Sequence, residues 1–210
     1  MGGMVELQIV KAMEGLSDGD PLLIDQVNEN DNRVNLLEIE LDEACNQVIA
    51  KRQPTAVDLR MVSTVQKTIT DLERIGDEAK KIAKTAKQLH SNGSPFMPQI
   101  RLGHIADAVV DMLRTALDAY ARLDTVAAAQ VVRHDKEVDA EFKGIMRQLI
   151  TYMMEDPRTI SQAIELMFVA KSVERIGDHA KNIAEYVVYM VKGRDVRHTS
   201  LEEIEREATR

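Results

Sequence analysis

Apolar residues recur at steps of three and four along most of the chain, the signature of amphipathic helices. The first such stretch covers residues 5–16 and ends in Ser17-Asp18-Gly19-Asp20-Pro21, turn formers whose proline suits the first position of a new helix. From there Leu22, Val27, Val34, Leu37, Leu41, Cys45, Val48 and Ile49 hold one stripe in phase up to Gln53-Pro54, which predicts a long second helix. A third is predicted over 55–89, with Met61, Val65, Ile69, Leu72, Gly76, Ala79, Ala83 and Ala86 on one seam. Residues 91–98, rich in Ser, Gly and Pro, read as a linker. Beyond it the plan returns. One helix is predicted over 100–123, and another from about 125 to Glu155-Asp156-Pro157, with Val131, Val138, Phe142, Ile145 and Leu149 in phase; the last covers 159–191.

The second half repeats the first in letters as well as in plan. The run "ERIGDEAKKIA" from Glu73 to Ala83 returns as "ERIGDHAKNIA" from Glu174 to Ala184, agreeing at nine of eleven positions with an offset of 101. The offset is 103 at Pro54 and Pro157, and 104 where Asp31-x-x-Val34-Asn35 faces Asp135-x-x-Val138-Asp139, so small trims separate the copies. A repeat of this length exceeds a solenoid unit and predicts a duplicated three-helix bundle. The expected division is 1–92 and 93–198 for the two bundles, with 199–210 as a tail.

Composition agrees with an all-α fold. Ten Gly, five Pro and 3% aromatic residues in 210 leave few helix breakers and an aliphatic core. With 44% apolar and 30% charged residues, the chain is not of the disordered class. A net charge of −8 argues against sequence-independent nucleic-acid binding, which depends on Lys and Arg neutralising phosphates. The lone Cys45 can form no internal disulfide and has no companion ligand, which suits a reducing cytoplasm. The start of the chain lacks signal-peptide and myristoylation patterns, and no apolar run is long enough to span a membrane.

The repeated motif carries the chemistry. Residues four apart share a helix face, so Glu73 with Asp77, and Glu174 with Asp178, each direct two carboxylates the same way, an arrangement that costs a few tenths of a kcal/mol when exposed. Compensation can come from Lys80 and Lys181, from Arg74 and Arg175, or from a hard cation with oxygen ligands. Asp135 and Asp139 form a second acidic row on the middle helix of the second half, so four carboxylates are expected to converge there. In the first half the matching row is Asp31 and Asn35, with Glu38 off the four-residue spacing, and a weaker site is expected. Against this stands the ordinary fate of such residues, solvation or pairing with a nearby Lys or Arg.

Other features are quieter. Gly76 and Gly177 cost each helix about 1 kcal/mol relative to alanine, and close helix packing is the expected reason. His90, His104, His134 and His179 form none of the Glu-x-x-His pairs of di-metal bundles and are expected at the surface. No triad, phosphate loop or Cys-x-x-Cys pair is present, so catalysis has no positive support. The apolar run 186–191 followed by the basic stretch 192–198 reads as core followed by a helix end whose positive charge complements the macrodipole; a membrane-surface or partner contact is the alternative. The eleven Met are assigned to packing.

Taken with these motifs, the stretches "NLLEIELDEACNQVIAKRQPTAVDLR" (35–60), "RQLITYMMEDPRTI" (147–160) and "VKGRDVRH" (191–198) give a close resemblance to the PhoU family of bacterial phosphate-uptake regulators. The resemblance implies two similar three-helix bundles that bind metal clusters through acidic four-spaced motifs, matched here by Glu73, Asp77, Glu174, Asp178, Asp135 and Asp139, with Asp31 in the weaker row. The ion would be iron, zinc, manganese or magnesium. The resemblance further implies negative control of the phosphate-starvation response by a non-enzymatic cytoplasmic adaptor and homodimer. That adaptor would link the ATPase subunit of the Pst phosphate transporter to the sensor kinase PhoR, and would reach the membrane only peripherally through these partners. A carboxylate-bridged di-metal helical-bundle enzyme is the alternative. Two departures follow: the chain is expected to begin partway along the family's first helix, and Asn35 replaces an expected aspartate.

Overall fold

A computed structural model describes residues 1–91 and 100–209. Seven α-helices and one short 3-10 helix (Pro157–Thr159) form among the described residues, with no strand among them: α1 (Gly2–Asp18), α2 (Pro21–Arg52), α3 (Ala56–Ser91), α4 (Leu102–Arg122), α5 (Thr125–Glu155), α6 (Ile160–Lys192) and α7 (Leu201–Thr209). The expected linker lies almost wholly outside the described residues.

Local chemistry sets the helix ends. The Asp20 carboxylate accepts the Leu22 amide at 2.8 Å with Pro21 at the first helical position, and Asp124 caps the Val126 and Ala127 amides at 3.0 Å each. Gly193 ends α6 with φ 75°, a left-handed conformation that glycine adopts at no steric cost.

The long helices α3 and α6 lie side by side at the centre. Arg60 on α3 donates to the Met190 carbonyl on α6, Asp71 meets His179, and Glu78 meets Arg175; numbers rise on one helix as they fall on the other, so the pair is antiparallel. α1 and α2 flank α3, while α4 and α5 flank α6, giving two three-helix bundles joined along the α3–α6 seam. One aliphatic core runs through both, with Ile9, Ile75, Ile82, Ile105, Leu113, Ile176 and Ile183 fully enclosed.

Three expectations change. First, residues 201–209 form α7 rather than a tail, because Ile204 and Ala208 bury against the core while Thr125 donates to the Ala208 carbonyl and Arg133 pairs with Glu205. Second, Leu22, Leu41, Val48 and Met61 are exposed although they fall on predicted seams, and Met154 is 80% exposed. The α2–α3 and α5–α6 hairpins outrun the shorter α1 and α4, so Leu41, Val48, Met61 and Met154, toward their distal turns, have no third helix to cover them; Leu22, at the start of α2, is outside this explanation. Third, the glycines leave more room than expected. A Cβ on Gly76 would meet Gln8 Oε1 at 3.5 Å, and one on Gly177 would meet Val109 Cγ2 at 3.4 Å, both ordinary contacts. We therefore expect Gly76→Ala and Gly177→Ala to be neutral or to stabilise by up to about 1 kcal/mol in urea unfolding, since alanine gains helix propensity without a clash.

Candidate functional site

The duplicated acidic residues occupy equivalent places in the two halves, each on the side of the central helix that faces the middle helix. The innermost carboxylate comes from that middle helix. Asp31 on α2 is fully enclosed and accepts a bond from Lys80 Nζ at 2.6 Å; Asp135 on α5 is buried and accepts from Lys181 Nζ at 2.6 Å. The two bonds are the same interaction made twice, and they answer in part what compensates the acidic pairs. Lysine reaches across to the partner helix rather than back along its own.

The outer carboxylates take nearer cations. Arg74 approaches Glu73 at 3.6 Å and Asp77 at 4.0 Å, and Lys171 pairs with Glu174. Burial, then Glu174 and Asp135, push the Asp178 carboxyl above its ordinary range. Burial, then Asp77, Glu38 and Asp31, do the same for Glu73. These shifts mark Asp135, Glu174 and Asp178 as one electrostatic group in the second half and Asp31, Glu73 and Asp77 as another in the first, with Glu38 joining the latter. Asp139 is half-buried on α5, one turn beyond Asp135. Among the described residues no group of three or more His, Cys, Asp or Glu side chains is gathered around one point to hold an ion.

Beside Asp135 and Lys181 lies a cavity of about 340 Å³, bordered by Glu185, Arg197 and His198 and closed on one side by α7. Burial drives the Glu185 carboxyl up to about 7, opposed by Lys181 and helped by Asp135. Asp195 goes the other way: its hydrogen bond from Arg197 brings it down to about 2. Sequence reasoning missed Glu185, whose i+4 relation to Lys181 was the available signal. It also missed how the basic stretch 192–198 is neutralised: Arg197 pairs with Asp195, and Arg194 with Glu203 and Glu207 on α7. Tyr186, Val187, Val188 and Met190 are core, as read.

The seam between the halves corrects the reading of the histidines. His179 is not a free surface residue: its Nδ1 bonds Asp71 Oδ1 at 2.6 Å, and Asn182 donates to the same oxygen at 3.1 Å. About two helical turns along α3 from Asp71, Glu78, buried, holds Arg175 and Lys81, each at 2.9 Å. The two positions at which the eleven-residue copies differ are Glu78/His179 and Lys81/Asn182. All four residues lie on this seam. Two equivalent helix faces brought together antiparallel would oppose like groups, and divergence at these positions supplies unlike ones.

A duplicated antiparallel three-helix bundle, with an aspartate–lysine bridge and a four-spaced acidic pair in each half, defines a class of internally duplicated all-α proteins. The family model described as "PhoU domain" matches residues 1–86 and again 102–187, once in each half. The chain is 47% identical over 207 residues to the phosphate-specific transport system accessory protein PhoU homolog of Pseudomonas aeruginosa, covering 99% of this chain and 86% of that one. It is also 47% identical over 207 residues to the accessory protein PhoU of Escherichia coli, covering 98% and 85% respectively. The crystal structure of PhoU from Pseudomonas aeruginosa superposes with a TM-score of 0.89 at 47% identity, over 92% of this chain and 93% of that one. The phosphate transport system regulatory protein PhoU from Streptococcus pneumoniae does so at 0.85 and 25% identity, over 93% and 91%. The chain belongs to the PhoU family.

Proposed function

We propose that this protein is a non-enzymatic, cytoplasmic regulator of phosphate uptake that holds the phosphate-starvation response off when phosphate is plentiful. In this reading it bridges the ATPase subunit of the Pst transporter and the sensor kinase PhoR, as a homodimer that meets the membrane only through these partners. The carrying observation is that family likeness spans nearly the whole chain and includes both acidic motifs, while relatives bear the name of transport-system accessory proteins. No helix among the described residues is long and apolar enough to cross a membrane.

Metal binding is the second part of the proposal. The donors in the second half are all carboxylate oxygens, from Asp135, Asp139, Glu174 and Asp178, which suits a hard cation drawn from iron, zinc, manganese and magnesium. Burial first, and then repulsion from Glu174 and Asp135, raises the Asp178 carboxyl, and it is the repulsion that supports uptake of positive charge. Asp135, Asp139, Glu174 and Asp178 would hold the ion, with Lys181 competing for Asp135, and the ion would supply a cross-link between α5 and α6 rather than activate a substrate. In the first half Asp31, Glu73 and Asp77 form the counterpart, with Asn35 lowering its charge.

Deleting the gene in its host is expected to derepress phosphate-starvation genes in phosphate-rich medium. Restoring it as the Asp139→Ala/Asp178→Ala variant tests the metal reading, through elemental analysis of protein purified without chelators. Unchanged expression on deletion sinks the regulatory role, and unchanged metal content in the variant sinks the site assignment.

A further inference from the structure

The α3–α6 seam carries two grooves related by the internal duplication, and they differ in one respect. In the groove beside the C-terminal half of α6, the cation Lys67 stacks over Tyr186 and Tyr189 with ring-centroid distances of 5.6 and 5.4 Å, and Tyr186 is buried. That groove is filled by its own side chains. At the 101-residue offset Phe168 stands where Lys67 does, while Thr85 and Gln88 stand where the tyrosines do. Among the described residues nothing aromatic faces Phe168 across this second groove, which has a volume of about 330 Å³, and the ring is 60% exposed.

The open groove is basic in a chain whose net charge is −8. Lys81, Lys84, Lys171 and Arg175 line it. Buried Glu78 is shared by Lys81 and Arg175, and Glu174 takes Lys171, so two positive charges are left over. Lys84 has no acidic partner among the described residues. Because Glu78 is enclosed it fixes the Arg175 guanidinium in place, giving an ordered donor rather than a loose one. An exposed aromatic face beside fixed and free cations suits a ligand with a planar base to cover the ring and phosphates to meet the charges.

We propose that this groove binds a nucleoside di- or triphosphate, with the base against Phe168 and the phosphates on Lys84, Arg175 and their neighbours. The duplicated groove shows what the position accepts, since there tyrosine rings and a lysine make the corresponding stack internally. The site adjoins the acidic face of the second half through the Lys171–Glu174 pair and is distinct from the function proposed above.

Calorimetric titration of the full-length chain, in chelator-containing buffer that keeps the acidic faces out of play, tests this with ADP, pyrophosphate and adenosine. ADP is expected to bind about tenfold more tightly than pyrophosphate, the factor a single base–aromatic stack supplies, and adenosine weakly. Phe168→Ala should bring ADP down to the level of pyrophosphate and leave pyrophosphate unchanged. Lys84→Glu should weaken both about tenfold, and Lys67→Ala, in the filled groove, neither. Both substituted positions in the open groove are exposed, and circular dichroism checks that the helices persist. No ADP binding at millimolar concentration, equal affinity for ADP and pyrophosphate, or an ADP affinity indifferent to Phe168→Ala overturns the proposal. So does an acidic peptide that binds these lysines without competition from ADP.

Discussion

Lys181→Met is expected to lower stability by about 3 kcal/mol, read as a drop of roughly 10 °C in Tm. The Asp135 side chain is 6% exposed, so removing the ammonium that bonds it leaves a carboxylate with little water to replace the lost partner. One-sided deletion of a buried pair costs about 3–5 kcal/mol, and the lower end applies because the adjoining cavity admits solvent. The double variant Lys181→Met/Asp135→Leu should recover most of the loss, since no charge then remains buried. Millimolar manganese should also restore part of the stability of Lys181→Met, with a divalent ion standing where the ammonium stood. A single variant as stable as the parent removes the bridge from any role in holding α5 to α6. Absence of a manganese effect counts against cation uptake on this face.

The second large effect is a dependence of stability on pH set by Glu185. Its carboxyl titrates at about 7 in the fold against 4.5 ordinarily, because burial penalises the charged form more than Lys181 favours it. The fold therefore prefers the protonated acid. Its contribution is fully present below pH 4.5, is lost progressively as pH rises, and is gone above about 7. The loss amounts to about 3 kcal/mol over that window. Glu185→Gln mimics the protonated group and should remove this term, leaving the variant more stable than the parent at pH 8 and nearly equal to it at pH 4.5. Urea unfolding across the range measures the difference. A parallel pair of curves refutes the assignment to Glu185.

The helices were legible in the sequence because apolar spacing, Asp and Gly caps and the Pro54 and Pro157 stops all agree, and the duplication fixed their order. The acidic motif was legible as a pattern but not as a geometry. Spacing along α3 says that Glu73 and Asp77 share a face; it cannot say that Lys80 will reach Asp31 on another helix. Exposure at Leu41, Val48 and Met61 was misread because periodicity reports which face is apolar, and not whether a third helix is long enough to cover it. His179 was misplaced for a related reason. Its partner Asp71 is 108 residues away, and only the mismatch between the two copies at Glu78 and His179 hinted that this face meets its own relative.

The opposed directions of α3 and α6 set the reach of the molecule. The turn at Gln53 precedes one of these helices and the turn at Asp156 the other, so the two bends sit at opposite poles of a rigid strut, on the order of 50 Å apart for helices of this length. A body gripping one pole leaves the other sterically free. The poles are also unlike, because the tyrosine-filled groove lies toward the first and the open basic groove toward the second, so the strut has a head and a foot and can only be mounted one way round.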